Sequence, residues 1–128
     1  MPKPKILIVD DEVFFRRLFT EILSEGDLYS IESVGSGKEA LDYLSRTKVD
    51  IILTDMVMPD GMTGRELAEI VQFDNPEIKI IFTSGYNVEI VGKDFSLHEG
   101  INFVQKPYHP KKLAKAVRDC LDNLRVEA

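Results

Sequence analysis

Short apolar runs along this chain end on polar residues that can do chemistry. Four runs look like strands: residues 6–9 stop at Asp10 and Asp11, residues 51–54 at Asp55, residues 78–82 at Thr83, and residues 101–105 at Lys106. Between them, apolar residues recur at helical spacing, so strand-like and helix-like stretches alternate five times. This alternation predicts an α/β fold in which helices cover both faces of a parallel sheet. The carboxyl ends of its strands would share the edge where ligands bind.

Periodicity and capping residues set the bounds of the predicted elements. These are a helix over Val13–Ser24, an edge strand over residues 29–34, helices opened by capping boxes at residues 36–39 and 63–66, and a last helix that begins at Pro110. The third helix would bury Leu67, Ile70 and Val71 and end at Asn75. Residues 87–98 have only weak helical spacing, so we expect a marginal helix that responds easily to a switch.

Composition limits the kind of protein. A chain of 128 residues with 44% hydrophobic and 30% charged residues suits a single domain over residues 1–128. No apolar stretch approaches the ~20 residues of a membrane span, and the first residues lack a signal-peptide pattern, so we expect a cytoplasmic location. The single cysteine, Cys120, excludes an internal disulfide and would pack in the last helix. A net charge of -6 argues against direct nucleic-acid contact.

The residues at the predicted edge suit phosphoryl chemistry. Carboxylates of Asp10, Asp11 and Asp55 would repel by about 4 kcal/mol per pair at ~4 Å and an effective dielectric constant of about 20. Oxygen ligands alone favour a hard divalent cation, and a few carboxylates with waters and a phosphate oxygen are typical of magnesium. Lys106 would add positive charge and Thr83 a hydroxyl, both suited to phosphoryl oxygens. Asp55 is the candidate nucleophile, since carboxylates form aspartyl-phosphates.

The motifs that carry these residues resemble those of the receiver domains of two-component response regulators and hybrid histidine kinases. They are VDDE at residues 9–12, LTDMVMP at 53–59, TSGY at 83–86 and KPY at 106–108, and the resemblance extends over about residues 5–124. It implies a flavodoxin-like (βα)5 three-layer sandwich with a five-stranded parallel sheet in the order 2-1-3-4-5. It also implies a phosphoacceptor that regulates other proteins, rather than an enzyme with a separate substrate.

The resemblance implies a role for each acid. Asp55 would accept a phosphoryl group from the phosphohistidine of a histidine kinase or a histidine phosphotransfer domain. Asp11, Asp55 and the backbone carbonyl of Val57 would ligate Mg²⁺, and Asp10 would hold a metal-bound water. The domain would thereby promote its own phosphorylation and dephosphorylation.

The resemblance also implies how the phosphoryl group is held and sensed. Thr83, Ser84 and Lys106 would bind its oxygens, and the bond between Lys106 and Pro107 would be cis. Phe103, three residues before the lysine, would turn inward when Thr83 moves. Together these residues would form the conformational switch.

Two departures from the family pattern affect the loops around the site. The loop between Pro59 and Gly64 is one residue longer than the commonest spacing, which changes its expected path. Val57 and Gly85 lie where family side chains tune the phosphoryl lifetime. Neither can activate a water through a polar side chain, so we expect slow self-hydrolysis.

Alternatives from other classes fit less well. An aspartate-nucleophile phosphatase of the haloacid-dehalogenase type normally has a second acid two residues after the nucleophile, where this chain has Val57. A flavodoxin-like nucleotide site needs Gly, Ser or Thr donors after the first strand, where Asp10 and Asp11 would repel phosphate. Only four residues follow Leu124, so we expect the domain to act by docking or to be cut from a longer chain.

One surface feature hints at a partner. Phe14 and Leu18 lie on a flank of the first predicted helix, beside the expected metal site. Large apolar residues on the surface of a small domain often mark a partner contact. The alternative is that Phe14 packs under the following loop, since burial is the default for phenylalanine.

Overall fold

A computed structural model describes residues 3–56, 58, 61–84, 103–105 and 110–127. The strands are β1 (Lys5–Val9), β2 (Ser30–Val34), β3 (Ile51–Asp55), β4 (Lys79–Ser84) and β5 (Phe103–Gln105). The α-helices of the described residues are α1 (Val13–Ser24), α2 (Gly37–Leu44), α3 (Gly64–Asp74) and α4 (Pro110–Glu127), and a short 3-10 turn covers Glu25–Asp27. The strands pair in parallel in the order β2-β1-β3-β4-β5, which confirms the predicted topology.

Two apolar clusters lie on opposite faces of the sheet, because successive side chains of a strand point to opposite sides. Leu7, Val9 and Ile52 face α2 and α3, whereas Ile6 and Ile8 face α1 and α4. The side chains of β1 and β3 are almost entirely buried, as in a parallel sheet covered on both faces. The predicted three-layer sandwich is therefore confirmed, and the central strands form a rigid base for the residues that follow them.

The helix bounds follow the sequence pattern closely. α1 covers the predicted range, α3 ends before Asn75, and α4 begins at Pro110. β2 lies at the edge as predicted and begins at Ser30. The predicted marginal helix over residues 87–98 lies outside the described residues.

One of the two predicted capping boxes is wrong. At α3 the box is complete: Thr63 Oγ1 accepts the Glu66 N–H and Glu66 accepts the Thr63 N–H, both at 3.1 Å. At α2, Ser36 accepts the Glu39 N–H at 3.1 Å, but the Glu39 carboxylate accepts the N–H of Gly35 at 3.0 Å. The bend before α2 brings the Gly35 N–H to Glu39, so Glu39 fixes the preceding loop and leaves the reciprocal bond unmade.

The predicted apolar face of α3 is wrong at one position. Leu67 and Val71 are buried, but Ile70 is 43% exposed. The stripe that faces the sheet instead includes Gly64 and Ala68, which are buried at helical spacing. Ile70 lies on the flank of this stripe, where it lines a groove between α2 and α3.

The single cysteine packs where the sequence analysis expects it, in the last helix. None of the described helices has the length and hydropathy needed to cross a membrane. Cys120 packs against the cluster beneath α1 and α4, and burial raises the pKa of its thiol to about 11. A thiol with a raised pKa is a poor nucleophile, which supports a packing role.

The start of α3 lies against the end of β3. A Cβ at Gly64 would lie 2.1 Å from the backbone oxygen of Asp55, and the Gly64 N–H donates to the carbonyl of Met56 at 3.1 Å. Backbone at this separation leaves no space for a side chain. Glycine at position 64 therefore sets how closely the helix approaches Asp55.

We expect Gly64→Ala to lower the free energy of unfolding by about 2–3 kcal/mol, because the methyl group would displace backbone. Gly37→Ala is the matched control, since Gly37 also occupies the first position of a helix. There the atoms nearest to the added Cβ belong to the side chain of Met62 and not to backbone, so the loss should be clearly smaller. Urea denaturation of both variants measures the difference, and equal losses would contradict the close-contact argument.

Candidate functional site

Three acids meet where β1 and β3 end. These strands are neighbours with Val9 paired to Thr54, so the residues that follow them emerge side by side. Carboxylate oxygens of Asp10, Asp11 and Asp55 all lie within 4.8 Å of one another. Asp10 is fully buried, Asp55 is 6% exposed, and Asp11 is exposed. The structure thus brings together the three acids that the sequence predicts at one site.

Hydrogen bonds of the backbone and side chain of Asp10 hold the loop after β1. Its N–H donates to the carbonyl of Val34 at 3.2 Å, and its carboxylate accepts the N–H of Glu12 at 2.9 Å. Its carbonyl accepts a hydrogen bond from Nη1 of Arg16 at 2.7 Å. These bonds fix the backbone between two acids that would otherwise move apart, since like charges repel.

The backbone around Asp55 is fixed by its neighbours. The Met56 N–H donates to the carbonyl of Thr83 at 2.9 Å, which extends the pairing of β3 with β4 past Asp55. The Thr54 hydroxyl donates to the Asp55 carbonyl at 3.1 Å, and α3 closes against the same carbonyl at Gly64. Asp55 is therefore held on a rigid strand end while its carboxylate faces the other two acids.

Thr83 adds a buried hydroxyl beside the acids. It is paired with Asp55 in the register of β3 and β4 and is 1% exposed. Its Oγ1 has no hydrogen-bond partner within the described residues. A buried polar group without a partner costs about 1–3 kcal/mol, so this hydroxyl is suited to a ligand that brings an oxygen.

The other predicted site residues either lie outside the described residues or are described only by their backbone. Lys106 and Val57 lie outside the described residues, as do Gly85 and Pro107. The backbones of Ser84 and Phe103 are described as parts of β4 and β5. Ser84 pairs with Gln105, the residue before Lys106. The proposed roles of these residues stay predictions.

The three acids fit a magnesium ion. Carboxylate oxygens are the ligands that Mg²⁺ prefers, and it is commonly held by one or two of them together with waters and substrate phosphate. The cluster contains only carboxylates, without the nitrogen or sulfur donors that favour zinc or copper. Asp11 is exposed and opens the cluster to solvent on one side.

The prediction for Phe14 is decided in part. Its side chain is 66% exposed, and it contacts the ring of Phe15 edge-on at 5.2 Å between centroids. Val13 beside it is 50% exposed, whereas Leu18 is half-buried. The alternative that Phe14 packs under the following loop is wrong, and its role in a partner contact stays a prediction.

Two residues that support the site were missed by the sequence analysis. Gly64 enters the sequence analysis only through the capping box and the length of the preceding loop, and Arg16 does not enter it. Gly64 lies against the carbonyl of Asp55 across the β3–α3 loop, and Arg16 donates back to the carbonyl of Asp10 across the loop before α1. No periodicity or motif of a single sequence signals such contacts.

We expect Thr83→Val to raise the free energy of unfolding of the unmodified protein by about 1 kcal/mol, because it removes a buried hydroxyl that has no partner within the described residues. Thr54→Val is the control, since the buried Thr54 hydroxyl donates to the Asp55 carbonyl and its loss should destabilise. Urea denaturation without divalent cations measures both changes. A Thr83→Val variant less stable than the wild type would mean that the hydroxyl is already satisfied.

Comparison with known proteins identifies the family of this chain. The family model described as "Response regulator receiver domain" matches residues 6–118. Sensor kinase CckA of Brucella abortus is 32% identical over 91% of this chain, which spans 12% of that protein. DNA-binding response regulator MtrA of Mycolicibacterium paratuberculosis is 26% identical over 91% of the chain, which spans 50% of it. The chain therefore corresponds to only part of these relatives.

A solved structure agrees as well. Chemotaxis response regulator CheY4 of Vibrio cholerae superposes with a TM-score of 0.77 at 26% identity, over 92% of this chain and 98% of that one. Neither the family match nor these relatives support the phosphatase or nucleotide-binding alternatives. The fold, the acid cluster and the family match lead to one conclusion: this chain belongs to the response regulator receiver domains, the phosphoryl-accepting signalling switches of two-component systems.

Proposed function

We propose that Asp55 is the phosphoacceptor and that it takes the phosphoryl group from a phosphohistidine in a magnesium-dependent reaction. The observation that carries this proposal is the acid cluster with the buried hydroxyl of Thr83 beside it, which has no hydrogen-bond partner among the described residues. Asp10 is fully buried and its carboxylate accepts a backbone N–H, which leaves it less able to attack. Asp55 is slightly exposed and lies opposite Thr83 in the sheet.

The reaction needs little covalent chemistry from the protein. A carboxylate oxygen of Asp55 would attack phosphorus in line with the nitrogen of a protonated phosphohistidine, so that a P–O bond forms as the P–N bond breaks. The leaving group is then neutral imidazole, which keeps the proton on its other nitrogen. The Thr83 hydroxyl would donate to a phosphoryl oxygen. Asp10, Asp11 and Asp55 would hold Mg²⁺, which offsets the negative charge on the phosphoryl oxygens. Ser84, Lys106 and the carbonyl of Val57 stay predicted partners.

We expect the intact protein to gain the mass of one phosphoryl group on incubation with Mg²⁺ and acetyl phosphate. Hydroxylamine should remove it, as it removes acyl phosphates. Asp55→Asn should abolish the gain because an amide oxygen is a poor nucleophile, whereas Asp42→Asn, at an exposed acid of α2, should not. Labelling of Asp55→Asn at the wild-type rate would contradict the assignment.

The metal should stabilise the folded protein through the acids. At about 100 times its dissociation constant, a ligand that binds only the folded state adds about 2.7 kcal/mol, and we expect Asp11→Ala to lose most of this gain in thermal melts. Without metal the same variant should be as stable as the wild type or more so, since repulsion is relieved. Glu21→Ala, at an exposed acid of α1, is the control. Full magnesium stabilisation of Asp11→Ala would mean that the ion binds elsewhere.

A partner contact can be proposed from the same end of the molecule. Val13 and Phe14 open α1, two and three residues after Asp11, and both side chains are largely exposed. A histidine donor has to approach this opening to reach Asp55. We therefore infer that Val13 and Phe14 contact the helix that carries the phosphohistidine.

Phe14→Ser should slow phosphotransfer from a phosphorylated histidine phosphotransfer domain by about tenfold, since buried aromatic anchors are typical interface hot spots. Phosphorylation by acetyl phosphate should be unchanged, because a small donor makes no such contact. Phe73→Ser is the matched control: Phe73 is 87% exposed but lies near the end of α3, which runs away from the acids. Equal slowing with both donors would show that Phe14 acts on the site itself.

The remaining expectations stay proposals. Thr83 would move toward the phosphoryl group and Phe103 would follow it, which couples modification to a change of shape. A cytoplasmic location, the extent of the domain over residues 1–128 and slow self-hydrolysis also stay predictions. MtrA is named as DNA-binding, so the absence of nucleic-acid contact is proposed only for this domain and not for a longer protein.

A further inference from the structure

Arg16 holds the peptide bond that joins two of the acids. Its Nη1 donates to the carbonyl of Asp10 at 2.7 Å, and that carbonyl belongs to the peptide between Asp10 and Asp11. This donor–acceptor distance is shorter than the usual value of about 2.9–3.0 Å for N–H···O hydrogen bonds, as expected when the donor is charged. Rotation of this peptide would reorient both carboxylates, so the bond restrains them together.

The β2–α2 loop forms a wall for the guanidinium group. A Cβ at Gly35 would lie 3.2 Å from Nη1 of Arg16, so the missing side chain makes space for it. Gly35 is itself fixed, since its N–H donates to the carboxylate of Glu39 at 3.0 Å. The preceding residue, Val34, accepts the N–H of Asp10. The contact of Arg16 is therefore built from α1, from the loop after β1 and from the loop after β2.

We propose that Arg16 is a positioning residue of the magnesium site and holds Asp10 and Asp11 ready for the metal. This inference rests on the proposed magnesium-dependent function. Without the bond, repulsion among the acids would turn the Asp10–Asp11 peptide, and the carboxylates would have to be brought back together when the metal binds. Groups that orient metal ligands in this way typically change metal affinity by about 10–100-fold.

The charge of Arg16 acts in the opposite direction. A nearby cation repels Mg²⁺, so its removal alone would strengthen binding. Weaker binding after the loss of Arg16 is therefore a signature of positioning rather than of charge. Arg17 provides the comparison: it is exposed, lines the same groove between α1 and β2, and makes no hydrogen bond to the Asp10 loop among the described residues.

Shortening the side chain of Arg16 should not create an enclosed cavity. Arg16 is half-buried and one side of it lines an open groove of about 580 Å³. Solvent would fill the space that a shorter side chain leaves at this position. We therefore expect Arg16→Gln to fold, and its thermal melt without metal serves as the check.

The test is a magnesium titration of the whole chain, followed by amide chemical shifts. We expect Arg16→Gln to raise the dissociation constant about tenfold or more, whereas Arg17→Gln should leave it unchanged or slightly lower. Arg16→Lys keeps a donor and the charge and should recover most of the loss. In metal-free Arg16→Gln, faster amide exchange at Asp11 and Glu12 should report the released loop.

A second variant tests the same contact from the other side. Gly35→Ala keeps the charge of Arg16 but presses on its guanidinium group, so we expect the dissociation constant to rise severalfold. In the Arg16→Gln background the same substitution should add almost nothing, because the two changes act through one contact.

The outcomes separate the two proposals. If the wild type binds Mg²⁺ through Asp11 but Arg16→Gln binds it as tightly as Arg17→Gln does, the positioning role is wrong and the proposed function stands. If the wild type shows no magnesium-dependent change that Asp11→Ala removes, the metal site and the inference built on it both fail. Additive effects of Gly35→Ala and Arg16→Gln would also overturn the positioning role.

Discussion

Repulsion among three carboxylates is the constraint on which the site depends. Oxygens of Asp10, Asp11 and Asp55 lie within 4.8 Å of one another, and each charged pair at such a distance costs about 4 kcal/mol at an effective dielectric constant of about 20. The fold withstands this repulsion because β1 and β3 are buried on both faces and cannot move apart. The hydrogen bonds at Asp10 then hold the loop that the repulsion would otherwise open.

The same arrangement explains how an inactive domain can respond to a small chemical change. A cation would offset the repulsion among the three carboxylates, and a phosphoryl oxygen would offer a partner to the Thr83 hydroxyl, which has none within the described residues. Both ligands would therefore bind on a rigid base. Since a ligand shifts an equilibrium only through its differential affinity for two states, the acid cluster and Thr83 are where we expect phosphorylation to act on the conformation.

The strand ends, most helix bounds and the three acids could be predicted from the sequence, because the patterns that indicate them are local. Strand ends placed Asp10, Asp55 and Thr83 at one edge, and periodicity gave the bounds of α1. The failures at Glu39 and Ile70 have another origin: the Glu39 carboxylate accepts the N–H of Gly35 across a bend, and Ile70 lies beside the stripe that faces the sheet. The contacts of Arg16 and Gly64 with the strand ends each cross a single loop and leave no periodic pattern.

The central claim is that Asp55 alone among the three clustered acids receives the phosphoryl group. Borohydride reduces an acyl phosphate to an alcohol, so treatment of the phosphorylated wild-type protein marks the modified aspartate as homoserine. Proteolysis and mass spectrometry of the fragments then locate it. The account predicts homoserine at position 55 and intact aspartate at positions 10 and 11. Homoserine at position 10 or 11, or its absence from all three positions, would contradict it.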